Sequence, residues 1–246
     1  MPLILRWLSA ACALVFMSSC ALPPTPAPAP SVTPFTNFPE EDAVALELPE
    51  PTLRGEVSLE ETLQSRRSIR EYSEAPLTLE EVSQLLWAAQ GQTTDWGGRT
   101  SPSAGALYPL ETYLIVGSVR GLEQGVYKYR SAKHDLLRVG DGDRRALLAE
   151  AALGQEWVEE GVAAIVLAAV YERTTGKYAE RGIEYVHMES GHAAENLLLQ
   201  ATALGLSSVP VTGFYRGEAR EALGLPDEVE PLYIVPVGRM REESPD

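Results

Sequence analysis

The sequence predicts an α+β fold, with a mainly antiparallel central sheet flanked by helices around one long central helix. Three observations predict the class. The stretch IEYVHMESGHAAENLLLQATALG, Ile183 to Gly205, sets Val186, Ser190, Ala193, Leu197, Ala201 and Leu204 on one stripe at three- and four-residue steps. Tyr185, Glu189, His192, Asn196 and Gln200 form a second, polar stripe. Gly161 to Tyr171 is nearly continuous Ala, Val, Ile and Leu, the composition of a strand buried on both faces. The remaining strand-like runs are bunched between helices without regular alternation, which favours antiparallel pairing.

Taken in order, the chain opens with an address. Arg6 precedes an apolar run, Trp7 to Met17, too short to span a bilayer but suited to the core of a secretory signal. Met17-Ser18-Ser19-Cys20 resembles a bacterial lipobox, in which Cys20 is lipidated; the alternative is an ordinary cleaved signal with an incidental cysteine. The proline-rich, uncharged ALPPTPAPAPSVTP then reads as a semi-rigid spacer. The expected organisation is a lipoprotein signal over 1–19, the lipidated cysteine, tether and extended arm over 20–57, a folded domain over 58–240, and a tail over 241–246. The expected location is a bacterial cell envelope, periplasmic or outer surface, with the membrane engaged through the lipid alone. Without a twin-arginine pair, export of an unfolded chain is expected, so a cofactor would be acquired afterwards.

Within the domain, Ser58 with Glu61 makes a capping box for a short helix that ends in the polar run Ser65 to Arg70. Thr78 with Glu81 opens a second, through Val82, Leu85, Leu86 and Ala89, that stops at Gly91. The loop Gln92 to Pro109 is too long to be idle. Strands are expected at Glu111–Gly117, Gly125–Arg130 and His134–Val139, the last two as a hairpin, then a helix from Arg144 to Leu153. After the central helix come a strand-like run from Ser207 to Tyr215, a short helix near Gly217–Leu223 and a last strand, Pro231–Val237.

Composition narrows the chemistry. A net charge of −15 repels phosphate backbones, so no nucleic-acid partner is expected. Both cysteines, Cys12 and Cys20, precede the domain, which excludes a catalytic thiol, a Cys-ligated zinc and an iron–sulfur cluster within it. Five helical steps set His187 and His192 about 140° apart around the axis, so they do not share an ion. No metal is assigned, and His192 is read as a polar-face hydrogen-bonding residue near Glu189 or Asn196.

Against that acidic background Arg66, Arg67 and Arg70 stand together, with Ser68 between them. Guanidinium groups offer paired donors that match phosphate oxygens, and a serine hydroxyl adds another; the alternative is pairing with acids such as Glu71 and Glu74. In SPSAGALYP, residues Ser103, Ala104 and Gly105 let the backbone approach a flat molecule closely. Pro210, Val211, Thr212 and Gly213 could hold backbone donors against a ring edge or simply turn a corner, and Arg239 supplies a further cation.

RRSIREY, SPSAGALYPLETYLIV, GHAAENLLLQATALGL, VPVTGF and a terminal PVGR, in that order, resemble the nitroreductase superfamily over Ser58 to Arg239, and more closely its SagB-type dehydrogenase branch, which includes oxidases of thiazolines and oxazolines in peptides. The resemblance implies a nitroreductase-like fold and an FMN-dependent oxidoreductase in which a donor reduces the flavin and an acceptor then takes the electrons. FMN would lie at the interface of a homodimer, its phosphate and ribityl chain on Arg66, Arg67 and Ser68 with Arg239. Pro102, Ser103, Ala104 and Gly105 would touch the ring from the partner subunit, and Pro210 to Gly213 would face its reactive edge. The substrate would be a small molecule or a peptide. In the azoline-oxidising enzymes an adjacent lysine and tyrosine remove a proton, and Lys177-Tyr178 lies in a similar setting; the alternative is an exposed lysine on a loop among Arg173, Glu180 and Arg181. A flavin- or ligand-binding lipoprotein without turnover is the reading from outside the enzymes.

Overall fold

The computed structural model describes residues 45–241, so the signal, Cys20, the spacer and the last five residues lie outside the described part. Among the described residues seven strands form one sheet: β1 (Ala45–Glu47), β2 (Leu110–Val116), β3 (Gly125–Arg130), β4 (Asp135–Asp141), β5 (Ala163–Ala169), β6 (Leu206–Ser208) and β7 (Glu230–Arg239). Their order is β1-β4-β3-β2-β5-β7-β6, and every neighbouring pair is antiparallel. The α+β class is the one the sequence predicts. The helices are α1 (Leu59–Ser65), α2 (Leu79–Gln90), α3 (Arg145–Ala151), α4 (Trp157–Glu160), α5 (Glu172–Tyr178), α6 (Arg181–Ala203) and α7 (Arg216–Leu223).

β5 explains why its run is apolar throughout. All seven of its residues are buried, and successive side chains go to opposite faces. Ala163, Ile165, Leu167 and Ala169 enter the core beneath α2 and α6, with Leu85, Val186, Ala193 and Leu197. Ala164, Val166 and Ala168 enter the core beneath α3, α4 and α7, with Leu148, Val158 and Leu223. Two layers of helices therefore sandwich the sheet, each contributing roughly 1.5–3 kcal/mol per large apolar side chain removed from water.

Local chemistry sets the element ends. Both predicted capping boxes form: Ser58 takes a hydrogen bond from the Glu61 amide while Glu61 accepts from the Ser58 amide, and Thr78 and Glu81 do the same. α6 begins at Arg181, ahead of the expected Ile183, because α5 runs almost into it. Only Ala179, at φ +49°, breaks the path, and Glu180 supplies no side-chain cap that a sequence pattern could reveal. Gly182 permits this junction, since a Cβ there would stand 2.8 Å from the Thr175 Cα, whereas Gly191, further along α6, faces open space. Of the run Ser207–Tyr215 only Ser207 and Ser208 belong to a strand, the three-residue β6, because Pro210 has no N–H to offer the ladder. Val211 resumes pairing, exchanging two hydrogen bonds with Ile234.

The segment from Phe35 to Gly55 shows no periodicity, yet Ala45–Glu47 pairs with β4 as an edge strand. Side chains pin the residues just beyond this strand: Gln84 bonds both the N–H and the C=O of Thr52, and Ser83 and His134 both reach the Pro49 carbonyl. Among the described residues no helix is long and apolar enough to cross a membrane.

Candidate active site

Two groups of candidate residues form, one at each side of α6. The first lies at the β6 end of the sheet. After α1 the chain runs alongside the strand ends: the Ile69 amide donates to the Ser208 carbonyl at 3.0 Å, Tyr72 bridges Met240, and the Ser73 amide donates to the Arg239 carbonyl at 3.0 Å. Gly238 lets this happen, because a Cβ there would press on the Tyr72 ring at 2.9 Å. The register lays Arg66 to Arg70 beside the point where Pro210 to Gly213 leave β6.

These arginines are not absorbed by the neighbouring acids. Arg66 stands 3.7 Å from Glu195 of α6, a loose, half-exposed pair. Arg67 curls onto the carbonyls of Gln64 and Arg66 and has no acid partner among the described residues. Arg70 sits over the Trp157 ring, 5.3 Å from its centroid. Among the described residues Glu71 and Glu74, the expected alternatives, take none of them. Arg239 is held differently, by Glu81 at 2.9 Å and the Pro76 carbonyl at 3.3 Å, so it is tied to the start of α2. Ser68 is exposed beside Arg67. In the facing loop, Val211 is buried while Thr212 and Gly213 are exposed, and Gln155 fixes the Gly213 carbonyl at 2.8 Å. No backbone carbonyl among the described residues takes the N–H groups of Thr212 and Gly213. The Ile69–Ser208 hydrogen bond thus brings a run of guanidinium groups, suited to a phosphate, alongside the strand that leads into Pro210 to Gly213.

The second group is built around the loop after α2. Ser101 is fully buried, donates to the Ala89 carbonyl at 2.8 Å, and receives the Asn196 amide at 3.2 Å. Beyond the exposed Pro102 the chain turns tightly, with Ala104, Gly105 and Ala106 in a single 3-10 turn and positive φ at Gly105, Ala106 and Tyr108. Lys177 and Tyr178 close on this turn: a Cβ on Gly105 would be 2.8 Å from the Tyr178 hydroxyl and 2.9 Å from Lys177 Nζ. The pair forms the last turn of α5, not the loop of the alternative reading, and the amides of Thr174 and Thr175 and the Thr175 hydroxyl all donate to the Tyr171 carbonyl. Lys177 is exposed rather than buried; its Nζ lies 5.3 Å from the Tyr178 ring centroid, and that ring meets Tyr185 edge to face at 5.1 Å.

Sequence reasoning missed the polar groups beneath this turn. Arg99 places its guanidinium 4.7 Å from the Tyr108 ring centroid and bonds Gln90 at 2.8 Å. Glu189, placed on the polar stripe of α6, is buried; burial drives its carboxyl up to about 7, against the opposing pull of the Ser103 hydroxyl and the Arg99 guanidinium. Nothing in its local pattern marks it out, since it sits in phase with exposed His192. The link between the groups is α6 itself, where Glu195 reaches Arg66 and the adjacent Asn196 reaches Ser101. His187 bonds the Tyr171 hydroxyl at 2.6 Å on another face of the helix.

Comparisons with known proteins agree with this architecture. The model described as the nitroreductase family matches residues 63–239. A Methanocaldococcus jannaschii protein assigned by name to the nitroreductases is 47% identical over 201 residues, 82% of this chain and 99% of that protein. The microcin B17-processing protein McbC of Escherichia coli is 26% identical over 152 residues, 59% of this chain, and the matched part spans about half of that protein, 56%. Among solved structures, a nitroreductase-named protein from Anabaena variabilis superposes with a TM-score of 0.73 at 30% identity, over 87% of this chain and 45% of that one. Another from Ralstonia eutropha gives 0.71 at 28% identity, over 90% of this chain and the whole of that one. With a family match running from α1 to the last residue of β7 and near-half identity to a relative along almost all of its length, the chain belongs to the nitroreductase family of oxidoreductases.

Proposed function

We propose that the chain is an FMN-dependent oxidoreductase that acts as a homodimer with the flavin between subunits. The observation that carries this reading is the docking of the Arg66–Arg70 run along β6, through the hydrogen bond of Ile69 to Ser208, at the strand that leads into Pro210 to Gly213, in a protein of net charge −15. When bound, FMN would supply two-electron chemistry through N5, in a ping-pong order with separate donor and acceptor. The chain's own part is to grip the phosphate with guanidinium groups, to offer Pro210 to Gly213 to the ring edge, and to bring the Pro102–Gly105 turn against the ring without a side chain in the way. Exposed Leu59 and Leu63 of α1, with Ile183 and Met188 of α6, supply apolar surface suited to a second copy.

The test is titration of the purified domain with FMN, followed by stopped-flow reduction with NADH and NADPH. A saturable, yellow, dimeric complex that is reduced quickly and saturably supports the enzyme. A bound flavin reduced only slowly and without saturation supports a binding protein, and a colourless monomer removes the reading altogether.

A second reading, azoline oxidation in peptide maturation, is favoured by the contact of Lys177 and Tyr178 with the Gly105 turn and by the similarity to McbC. Lys177→Ala should then abolish oxidation of a thiazoline peptide while the bound flavin stays. We further propose that Cys20 is lipidated and that the domain stands off an envelope membrane on its proline-rich spacer. Mass spectrometry of the mature N-terminus, against a Cys20→Ser variant, checks this.

A further inference from the structure

The guanidinium of Arg173, in the first turn of α5, has two acceptors outside its own helix. Nη1 donates to the Tyr108 carbonyl at 3.2 Å, and Nη2 donates to the carboxylate of Glu111 in β2. Glu111 is mostly enclosed, its side chain 12% exposed, and it also pairs with Lys128 of β3 at 3.2 Å. The backbone crosses at the same place, since the Val170 amide donates to the Pro109 carbonyl at 2.9 Å. Tyr108 ends the turn that contains Gly105, and the chain there is under strain. Ala106 and Tyr108 carry φ of +54° and +46°, a conformation that residues with side chains keep only where their surroundings hold it. The chain ahead of the turn is fixed at Ser101, through the Ala89 carbonyl and Asn196. One helical turn beyond Arg173, Lys177 and Tyr178 meet the middle of the same turn at Gly105.

We propose that Arg173 is a positioning residue that joins the Ser103–Tyr108 turn to α5, so that the backbone offered to a flat ring and the Lys177–Tyr178 pair are held in one arrangement. The joint rests on hydrogen bonds within this chain; its consequence for a ring rests on the flavin reading. A guanidinium suits the task because it is a planar fork that serves two acceptors at once, here one neutral and one charged. A lysine ammonium is a point charge and lacks that geometry. The two acceptors divide the work. Glu111 stands in β2, between β3 and β5, and ties the helix to the sheet, while the Tyr108 carbonyl ties the turn to the helix. The Arg173 side chain is 40% exposed, so its removal takes little from the core, and the effect falls on the two segments that it links.

Amide exchange of the flavin-free protein tests the joint. It is read in peptides covering the turn, where the Ala106 and Tyr108 amides bond to Ser103, in peptides covering α5, and in β5 as an internal reference. Arg173→Ala should speed exchange about tenfold in the turn and in α5, the worth of a hydrogen bond to a charged group, and leave β5 unchanged. Arg173→Lys should leave the turn as fast as alanine does. A general loss of stability would instead speed all three regions together, and full rescue by lysine would reduce the joint to a charge effect. Either result overturns the proposal, as does unchanged exchange in the turn and α5. Should Arg173→Ala fail to fold, Glu111→Gln, which keeps Arg173 in place, should loosen the same two segments. A parallel FMN titration separates the two claims. Loosened segments in a chain whose wild type binds no FMN keep the joint and remove the flavin. Where wild type does bind it, Arg173→Ala should bind about tenfold more weakly, and equal affinity overturns the consequence for the ring.

Discussion

A Cβ on Gly105 would stand 2.8 Å from the hydroxyl of Tyr178, on a backbone already at φ +64°. The tips of two side chains from the end of α5 therefore rest on the turn, and a methyl group there would have to push them aside. Gly105→Ala should cost about 1 kcal/mol from the left-handed backbone and displace the tips of Lys177 and Tyr178. Urea unfolding gives the cost, and acylation rates at Lys177 report whether the pair has been displaced; an unchanged midpoint and unchanged labelling would contradict the close fit.

Arg66 and Arg67 contribute little to the fold. Arg66→Ala and Arg67→Ala should leave the melting temperature within a degree or two, as exposed pairs contribute at most about 1 kcal/mol. Each should weaken FMN binding by about tenfold or more, the worth of one charge-assisted contact. Arg239→Ala should lower the melting temperature as well as weaken FMN binding, since that guanidinium also ties β7 to Glu81 at the start of α2. Calorimetry with FMN beside thermal melts separates the two effects.

Glu189 imposes a pH dependence whose sign is fixed. Its carboxyl is raised to about 7 in the folded chain, so between about pH 4.5 and 7 the native state keeps a proton that the unfolded state has released. Its contribution is most favourable below that window, declines through it, and is flat above. Glu189→Gln removes the decline and should be more stable than wild type at pH 8, by about 1–3 kcal/mol. The quantity to measure is the difference between the two stability curves, because the chain's other carboxylates cancel in it; a flat difference would refute the assignment.

Ile165 lies at the middle of β5 with no exposed surface, beneath α2 and α6. Ile165→Ala should destabilise by about 2–5 kcal/mol, through lost burial and the cavity left behind. Chemical unfolding measures it, and a value below about 1 kcal/mol would mean the core closes over the gap.

Much of this molecule is legible in its residues. The period-3.6 stripe of α6, the wholly apolar β5 and the two capping boxes are local patterns, and local patterns survive in a sequence. The arginines after α1 stand out as cations against an acidic background. Glu189 does not, because burial of a carboxyl depends on which loop folds over it, and the Ser101–Pro109 turn is separated from it by most of the sheet. Arg99 and Tyr108 are hidden for the same reason. The start of α6 is hard to read because α5 abuts it with no capping residue between, and β1 escapes notice because three residues are too few to show alternation.

Both outer strands of the sheet, β1 and β6, are only three residues long. At one margin, the brief Ala45–Glu47 segment covers part of a seven-residue neighbour whose hydrogen-bonding groups would otherwise be open to any passing chain. A version shortened to begin at Ser58 would keep the whole candidate site yet bare that rim, and should clump at concentrations where the longer protein stays dispersed.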